Sequence, residues 1–176
     1  MVGTTMKKQY PPEAIANNLL WIADRDGMSL TPTQLIQLVY VVYGWALALL
    51  GRKIFEDPIE AWDDGPTIPR LHYILRPYGK KNVDSFIVWG ENNGMRPVVS
   101  GDDPDLLSVM DLVWTAYTRR DGLSLTTLTR EGCGAWQQAR ARKDFILDDE
   151  DIERRSWEGI QRIFRGDVER QRHRTR

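Results

Sequence analysis

The sequence predicts an all-α or α-dominated fold: a single compact helical domain with a possible small β-hairpin. Apolar residues recur at helical spacing in several segments, and helix start and stop signals flank those segments. We find no internal repeat, low-complexity tract or long linker in the chain. A length of 176 residues, with 41% hydrophobic and 28% charged residues, suits one globular domain with a substantial core.

The first two predicted helices have the clearest boundaries. The first begins after two adjacent prolines and ends at Gly27. Thr31 can cap the second helix, with Pro32 at its first position and Gln34 placed to complete a capping box. Residues up to Gly51 are apolar around most of this helix, which is typical of the buried centre of a domain. We therefore expect the second helix to be the central element.

The next segment is predicted to contain two short extended pieces and a third helix. The extended pieces flank Asp57-Pro58, and Gly65-Pro66 is expected to form a turn. Thr67 can then cap the third helix, which Gly79 would end. The residues expected on the inner face of this helix are Leu71, Ile74 and Leu75.

The second half of the chain is predicted to be mostly helical. Residues 86–99 suggest a small hairpin, with an irregular excursion as the alternative. A helix is expected over residues 104–120, a short one after Ser124, another from Trp136 and a last one capped by Asp148. The predicted organisation is an N-terminal segment (1–12), a helical domain (13–165) and a basic C-terminal tail (166–176).

Charge and composition predict a cytoplasmic protein that does not bind membranes, and they argue against nucleic acid as its main partner. The net charge is -1 and the pI is 6.1, less basic than is usual for a protein that contacts phosphate backbones. Five arginines from Arg165 to Arg176 leave contact of the tail with nucleic acid or an acidic partner as an alternative to a solvated chain end. The apolar stretch 39–50 is shorter than the roughly 20 residues of a transmembrane helix. Cys133 is the single cysteine, which excludes an internal disulfide.

Residue patterns for catalysis, metals or cofactors are weak. The two histidines and one cysteine include no pair with zinc-ligand spacing, and Cys133 lies far from His72 in sequence. Asp63 and Asp64 are neighbours in an extended segment and would point to opposite faces, which favours a turn over a catalytic pair. We therefore predict no catalytic residues, no metal site and no cofactor, and a protein that is not an enzyme.

Binding of another protein is the remaining type of function. Aromatic and arginine side chains that a core does not need are natural interface anchors. Arg70 and Tyr73 lie one helical turn apart, so substitutions there are expected to weaken binding without lowering stability. The alternative is that most of the seven tryptophans are structural. The candidate partner-binding residues are Trp62, Arg70, Tyr73, Trp89 and Trp136.

Three stretches together resemble a known family. The first is residues 30–40 with 44–52, the second is residues 59–69, and the third is residues 123–129 with 135–136. Their order and spacing resemble the Panacea domain, also called the SocA-like antitoxin or phage-associated GepA-like domain, over roughly residues 13–165. The most specific part is the Glu-Ala-Trp to Gly-Pro sequence within the second stretch.

The resemblance implies a helical antitoxin of a toxin–antitoxin system. Such a protein would neutralise a cognate toxin, encoded by an adjacent gene, through direct stoichiometric binding. One alternative is a proteolytic adaptor that delivers a toxin to a cellular protease. The other is a DNA-binding regulator of a phage or prophage.

Overall fold

Six α-helices and one two-stranded sheet make up the part of the chain that the structure describes, which confirms the α-dominated fold. The structure, a computed structural model, describes residues 8–90, 94–118 and 134–174, with side chains up to residue 165. The short helix predicted after Ser124 and the residue Cys133 lie outside these ranges. The elements are α1 (Pro12–Arg25), α2 (Pro32–Leu50), β1 (Glu60–Trp62), β2 (Gly65–Thr67), α3 (Pro69–Leu75), a 3₁₀ turn (Arg76–Tyr78), α4 (Pro104–Thr118), α5 (Gly134–Arg142) and α6 (Asp149–Arg174).

Helix α2 is the central element, as predicted. It packs against α1, α3, α4, α6 and β2, and Leu38 in its middle has no exposed surface. Its first turn has the capping box: the Thr31 N–H donates to Gln34 Oε1 at 2.9 Å, and the Gln34 N–H donates to Thr31 Oγ1 at 3.4 Å. Gly51 ends the helix in the left-handed conformation, with φ 56°.

By length and composition alone, α2 could also cross a membrane. The helix begins well before the apolar stretch 39–50, which by itself was too short to span a membrane. It therefore reaches 19 residues, with a mean hydropathy of 1.6. However, 67% of it is buried inside the fold. The core helix of a soluble protein is buried in the same way, and it meets the same criteria of length and composition as a membrane span.

Close contact between α2 and α6 depends on a glycine. A Cβ added at Gly44 would lie 2.2 Å from Ser156 Oγ and 3.2 Å from Ile152 Cγ2, so α6 rests directly on the backbone of α2. Asp148 caps α6 as predicted, since its Oδ1 accepts the Glu150 N–H at 2.9 Å. The helical backbone continues to Arg174, through the segment that was expected to be a separate tail.

The β-hairpin after α2 turns at a different place from the one predicted. Trp62 stands opposite Gly65 in the antiparallel pair, so Asp63 and Asp64 form the turn. The predicted turn residues Gly65 and Pro66 instead begin β2, where Gly65 takes φ +123°. Aspartates suit turns because their side chains can bond to nearby backbone groups, and the strands are too short for their pattern to fix the register.

The hairpin predicted over residues 86–99 is reduced to a single bridge in the described residues, which agrees better with the alternative of an irregular excursion. In the described part of this segment, strand pairing consists of an isolated bridge between Trp89 and Met95. The buried amide of Asn17 holds the segment instead. Its Nδ2 donates to two backbone carbonyls there, each at 2.9 Å, and its Oδ1 accepts the Ile87 N–H at 2.8 Å. One side chain of α1 thus replaces a strand partner.

Helix α3 lies where it was predicted, but its cap and one inner-face residue were wrong. Thr67 belongs to β2, and Ile68 occupies the N-cap position without a side-chain bond. Leu71 and Leu75 are buried, whereas Ile74 is 37% exposed. Leu71 and Leu75 are four residues apart and lie on the face that packs inward, whereas Ile74 lies at the edge of that face.

A buried ion pair connects the end of α2 to the start of α4. The Arg52 guanidinium donates two hydrogen bonds to the Asp103 carboxylate, at 3.2 and 2.7 Å. The Tyr10 hydroxyl donates to the same carboxylate at 3.0 Å, and so does the Leu106 N–H at 3.3 Å. Burial opposes ionisation of Asp103, but the bonds from Arg52 and Tyr10 outweigh it and lower its pKa.

The lowered pKa predicts that stability depends on pH. A carboxyl group with a lower pKa in the folded chain than in the unfolded chain stabilises the fold above the unfolded pKa, about 3.9. That contribution is lost as the pH falls through the folded pKa. Thermal unfolding should therefore show Asp103→Asn less stable than wild type at neutral pH, with a gap that narrows below about pH 4. A gap independent of pH would contradict a role for the charge.

Candidate protein-binding surface

Strand β1 joins the hairpin to the chain that follows α5. The Ala61 N–H donates to the Phe145 carbonyl at 2.7 Å, and the Leu147 N–H donates to the Ile59 carbonyl at 2.8 Å. Residues 145–147 therefore run beside β1 on the side opposite β2. This long-range pairing brings the hairpin and the end of α5 to one surface.

Helix α5 is fixed to β1 by two side chains. Trp136 and Arg140 are four residues apart and so share a helix face. The Trp136 indole N–H donates to the Trp62 carbonyl at 2.8 Å. Arg140 Nη1 lies 3.5 Å from the Ala61 carbonyl and 2.7 Å from Asp63 Oδ1. Since Asp63 is largely exposed, we attribute the anchoring mainly to the bonds that the two side chains make to the β1 backbone.

An open groove of about 640 Å³ lies beside this contact. The end of β1 and its turn line one side, and the end of α5 with the following residues lines the other. Trp62 and Phe145 give the groove aromatic walls, and Phe145 is 61% exposed. Arg140 and Lys143 bring positive charge to the lining, and Asp63, Asp64 and Asp144 bring negative charge. The groove therefore offers both apolar and charged contacts to a ligand.

Aromatic side chains continue from the groove onto α3. The His72 ring meets the Trp62 ring edge-on, with centroids 4.7 Å apart, and the Tyr73 ring lies 5.9 Å from His72. Tyr73 is 64% exposed. Edge-to-face contacts of this kind hold aromatic rings in defined positions. The result is a row of rings that ends in an accessible tyrosine.

Arg70 and Trp89 form a second cluster, which is built around Glu13 of α1. Arg70 Nε donates to Glu13 Oε1 at 2.7 Å, and the Trp89 indole N–H donates to the same oxygen at 3.4 Å. The Arg70 guanidinium carbon lies 5.8 Å from the Trp89 ring centroid. Glu13 is almost completely buried, and its Oε2 has no hydrogen-bond partner in the described part of the chain. Both candidate residues therefore help to satisfy a buried carboxylate.

The five candidate residues thus fall into two groups that differ in their structural roles. Trp62 and Trp136 meet at the groove, and Tyr73 is the most exposed of the five. Arg70 and Trp89 are engaged with Glu13.

The sequence analysis did not single out the groove residues that come from the end of α5 and the chain after it: Arg140, Lys143, Asp144 and Phe145. Arg140 and Lys143 belong to a basic run in the sequence, which by itself indicates no groove. Their place in the groove depends on pairing between β1 and residues 145–147, which no local pattern indicates.

Two of the groups considered for chemistry, His72 and Asp63, are engaged in other contacts. In the described ranges, no three His, Cys, Asp or Glu side chains lie close enough together to hold a metal ion. His72 lies against Trp62 and Tyr73, and Asp63 pairs with Arg140.

Of the three stretches that resemble the Panacea domain, the second and the end of the third, residues 135–136, contribute to this surface. Residues 30–52 form α2, and residues 59–69 form the hairpin and the start of α3. Most of the third stretch, residues 123–129, lies outside the described ranges. No model of a known protein family, no curated protein and no solved structure matches the chain.

Proposed function

We propose that this chain is an antitoxin that neutralises a toxin protein by direct stoichiometric binding through the surface built by the hairpin, α3 and α5. The observation that carries the proposal is the open groove, which combines exposed aromatic walls with charged sides. Aromatic and arginine residues are the usual anchors of protein interfaces. The resemblance to the Panacea domain supports the same surface, because its most specific stretch, residues 59–69, forms the hairpin and the start of α3.

Contacts within the fold hold the side chains of this surface in position, which favours tight binding. Trp136 is bonded to the β1 backbone and Trp62 is in ring contact with His72. Side chains that are already positioned lose less conformational entropy on binding, so more of the contact energy becomes affinity. A stable interface buries about 800 Å² on each partner, more than the groove alone would provide. The contact would therefore extend over α3 and include Tyr73.

Binding by this surface would inhibit the toxin without turnover. The antitoxin would either cover the active site of the toxin or hold it in an inactive conformation. Protection should then require at least one antitoxin for each toxin. Rescue at strongly substoichiometric antitoxin would contradict this mechanism, and loss of that rescue in a protease-deficient host would favour the adaptor alternative.

Tyr73→Ala should weaken toxin binding by about tenfold or more, the loss expected for an interface hot spot. Its melting temperature should stay close to wild type, because Tyr73 is mostly exposed. The measurement is the affinity for the product of the adjacent gene, together with growth rescue on co-expression. Trp21→Ala is a matched control, since Trp21 is a 55% exposed aromatic on α1. Failure of the wild-type protein to bind that product would refute the proposed function, and equal loss in both variants would refute the surface.

A further inference from the structure

We infer that Lys143 is a recognition residue of the groove and that the groove takes an extended segment of the partner protein carrying an Asp or Glu side chain opposite the Lys143 ammonium. This inference rests on the proposed function, because it names the chemistry that the same surface would recognise. Two independent features of Lys143 support it, namely its backbone conformation and its lack of an acidic partner.

The backbone conformation of Lys143 is unusual for a lysine. Its φ is 59°, and in the described ranges it is the one residue other than glycine with a positive φ. The Lys143 N–H donates to the Arg140 carbonyl at 3.1 Å, and the Asp144 N–H donates to the Ala139 carbonyl at 2.8 Å. These two bonds form the Schellman motif that ends a helix, in which the residue at the Lys143 position is usually glycine.

The same chain uses glycine where its other helices end with a positive φ. Gly27 follows α1 with φ 67°, and Gly51 follows α2 with φ 56°. A left-handed conformation is unfavourable for a residue with a Cβ, and lysine lacks the short polar side chain that helps asparagine to adopt it. Lysine at position 143 therefore weakens the helix end, which suggests that its side chain has a use outside the fold.

Lys143 shares the groove lining with Asp63, Asp64 and Asp144 but forms an ion pair with none of them. Arg140 pairs with Asp63, and Arg142 bonds to Asp144 and Asp151. Lys143 makes no ion pair with any residue in the part of the chain that the structure describes, although it lines the groove. An ammonium group on the wall of a concave, partly apolar site attracts a carboxylate from a partner.

The shape of the groove favours an extended segment as its occupant. Its volume of about 640 Å³ is that of a small-ligand site, whereas a helix with its side chains is about 10 Å or more in diameter. Part of the lining is extended chain, from β1 and from Phe145, which pairs with it. An extended segment could insert one side chain between Trp62 and Phe145 while the next acidic side chain meets Lys143.

The test is a substitution that should stabilise the fold and weaken binding of the partner. Lys143→Gly should raise the melting temperature by about 2–4 °C, the shift expected when a modest backbone strain is removed from a chain of this size. The same variant should bind the adjacent-gene toxin about tenfold more weakly, with a smaller dependence of affinity on salt. Lys143→Asn, which is neutral but tolerates the conformation, should lose affinity similarly. Lys143→Arg should keep most of the affinity.

Lys80→Ala is the matched control, because Lys80 is an exposed lysine outside the groove. It should change neither melting nor binding. Unchanged affinity in both Lys143→Gly and Lys143→Asn would overturn the inference while leaving the proposed function intact. A lower melting temperature for Lys143→Gly would contradict the argument from backbone strain and would therefore count against the inference. If the wild-type protein bound no toxin, the proposed function would fail and this inference with it.

Discussion

Leu38→Ala is expected to lower the free energy of unfolding by about 2–5 kcal/mol. Leu38 has no exposed surface and lies in the middle of α2, the helix against which α1, α4 and α6 pack. Elements on several sides of a site limit how far the surroundings can relax into the cavity, which places the cost towards the upper part of this range. Since a domain is stable by only about 5–15 kcal/mol, the loss would be a large fraction of the total.

Denaturant unfolding with a second variant of the same helix would test this expectation. Leu49→Ala removes the same atoms from a residue that is 36% exposed, so it should cost about 1 kcal/mol or less. Both variants change helix propensity equally. The difference between their losses in free energy of unfolding therefore measures the effect of burial. Similar losses in the two variants would mean that α2 is not the centre of the fold.

The central position of α2 could be predicted because its signals are local. Thr31, Pro32 and Gln34 define its start within four residues, and Gly51 defines its end. The apolar residues between them cover most of its circumference, which leaves burial as the stable solution. Each of these features acts between residues that are close in sequence.

The groove and the course of the chain around Ile87 could not be predicted because they depend on distant contacts. The Trp136 indole meets the Trp62 carbonyl across 74 positions of the chain. The amide of Asn17 organises residues around Ile87, 70 positions away, in place of the predicted hairpin. Residue types alone gave the candidates Trp62 and Trp136, whereas Phe145 and Lys143 became visible only when residues 145–147 were found beside β1.

Arg70→Glu is expected to destabilise the fold by about 3 kcal/mol, in contrast to the expectation that an exposed arginine could be changed at little cost. Arg70 Nε bonds to Glu13 Oε1 at 2.7 Å, and Glu13 is 1% exposed. The substitution would leave the buried carboxylate without its cation and would place a second carboxylate beside it. The exposure of the Arg70 side chain, 45%, keeps the cost below that of a fully buried pair.

A double-substitution cycle separates this structural role from contact with a toxin. Arg70→Met alone should be strongly destabilised, whereas Arg70→Met combined with Glu13→Gln should recover much of the loss, because no buried charge remains. If the two substitutions instead added independently, the pair would not be coupled. Loss of rescue by Arg70→Glu would then follow from unfolding and would be no evidence that Arg70 touches a toxin. A stable double variant that failed to bind, while Glu13→Gln alone still bound, would be that evidence, because Glu13 also accepts a hydrogen bond from Trp89.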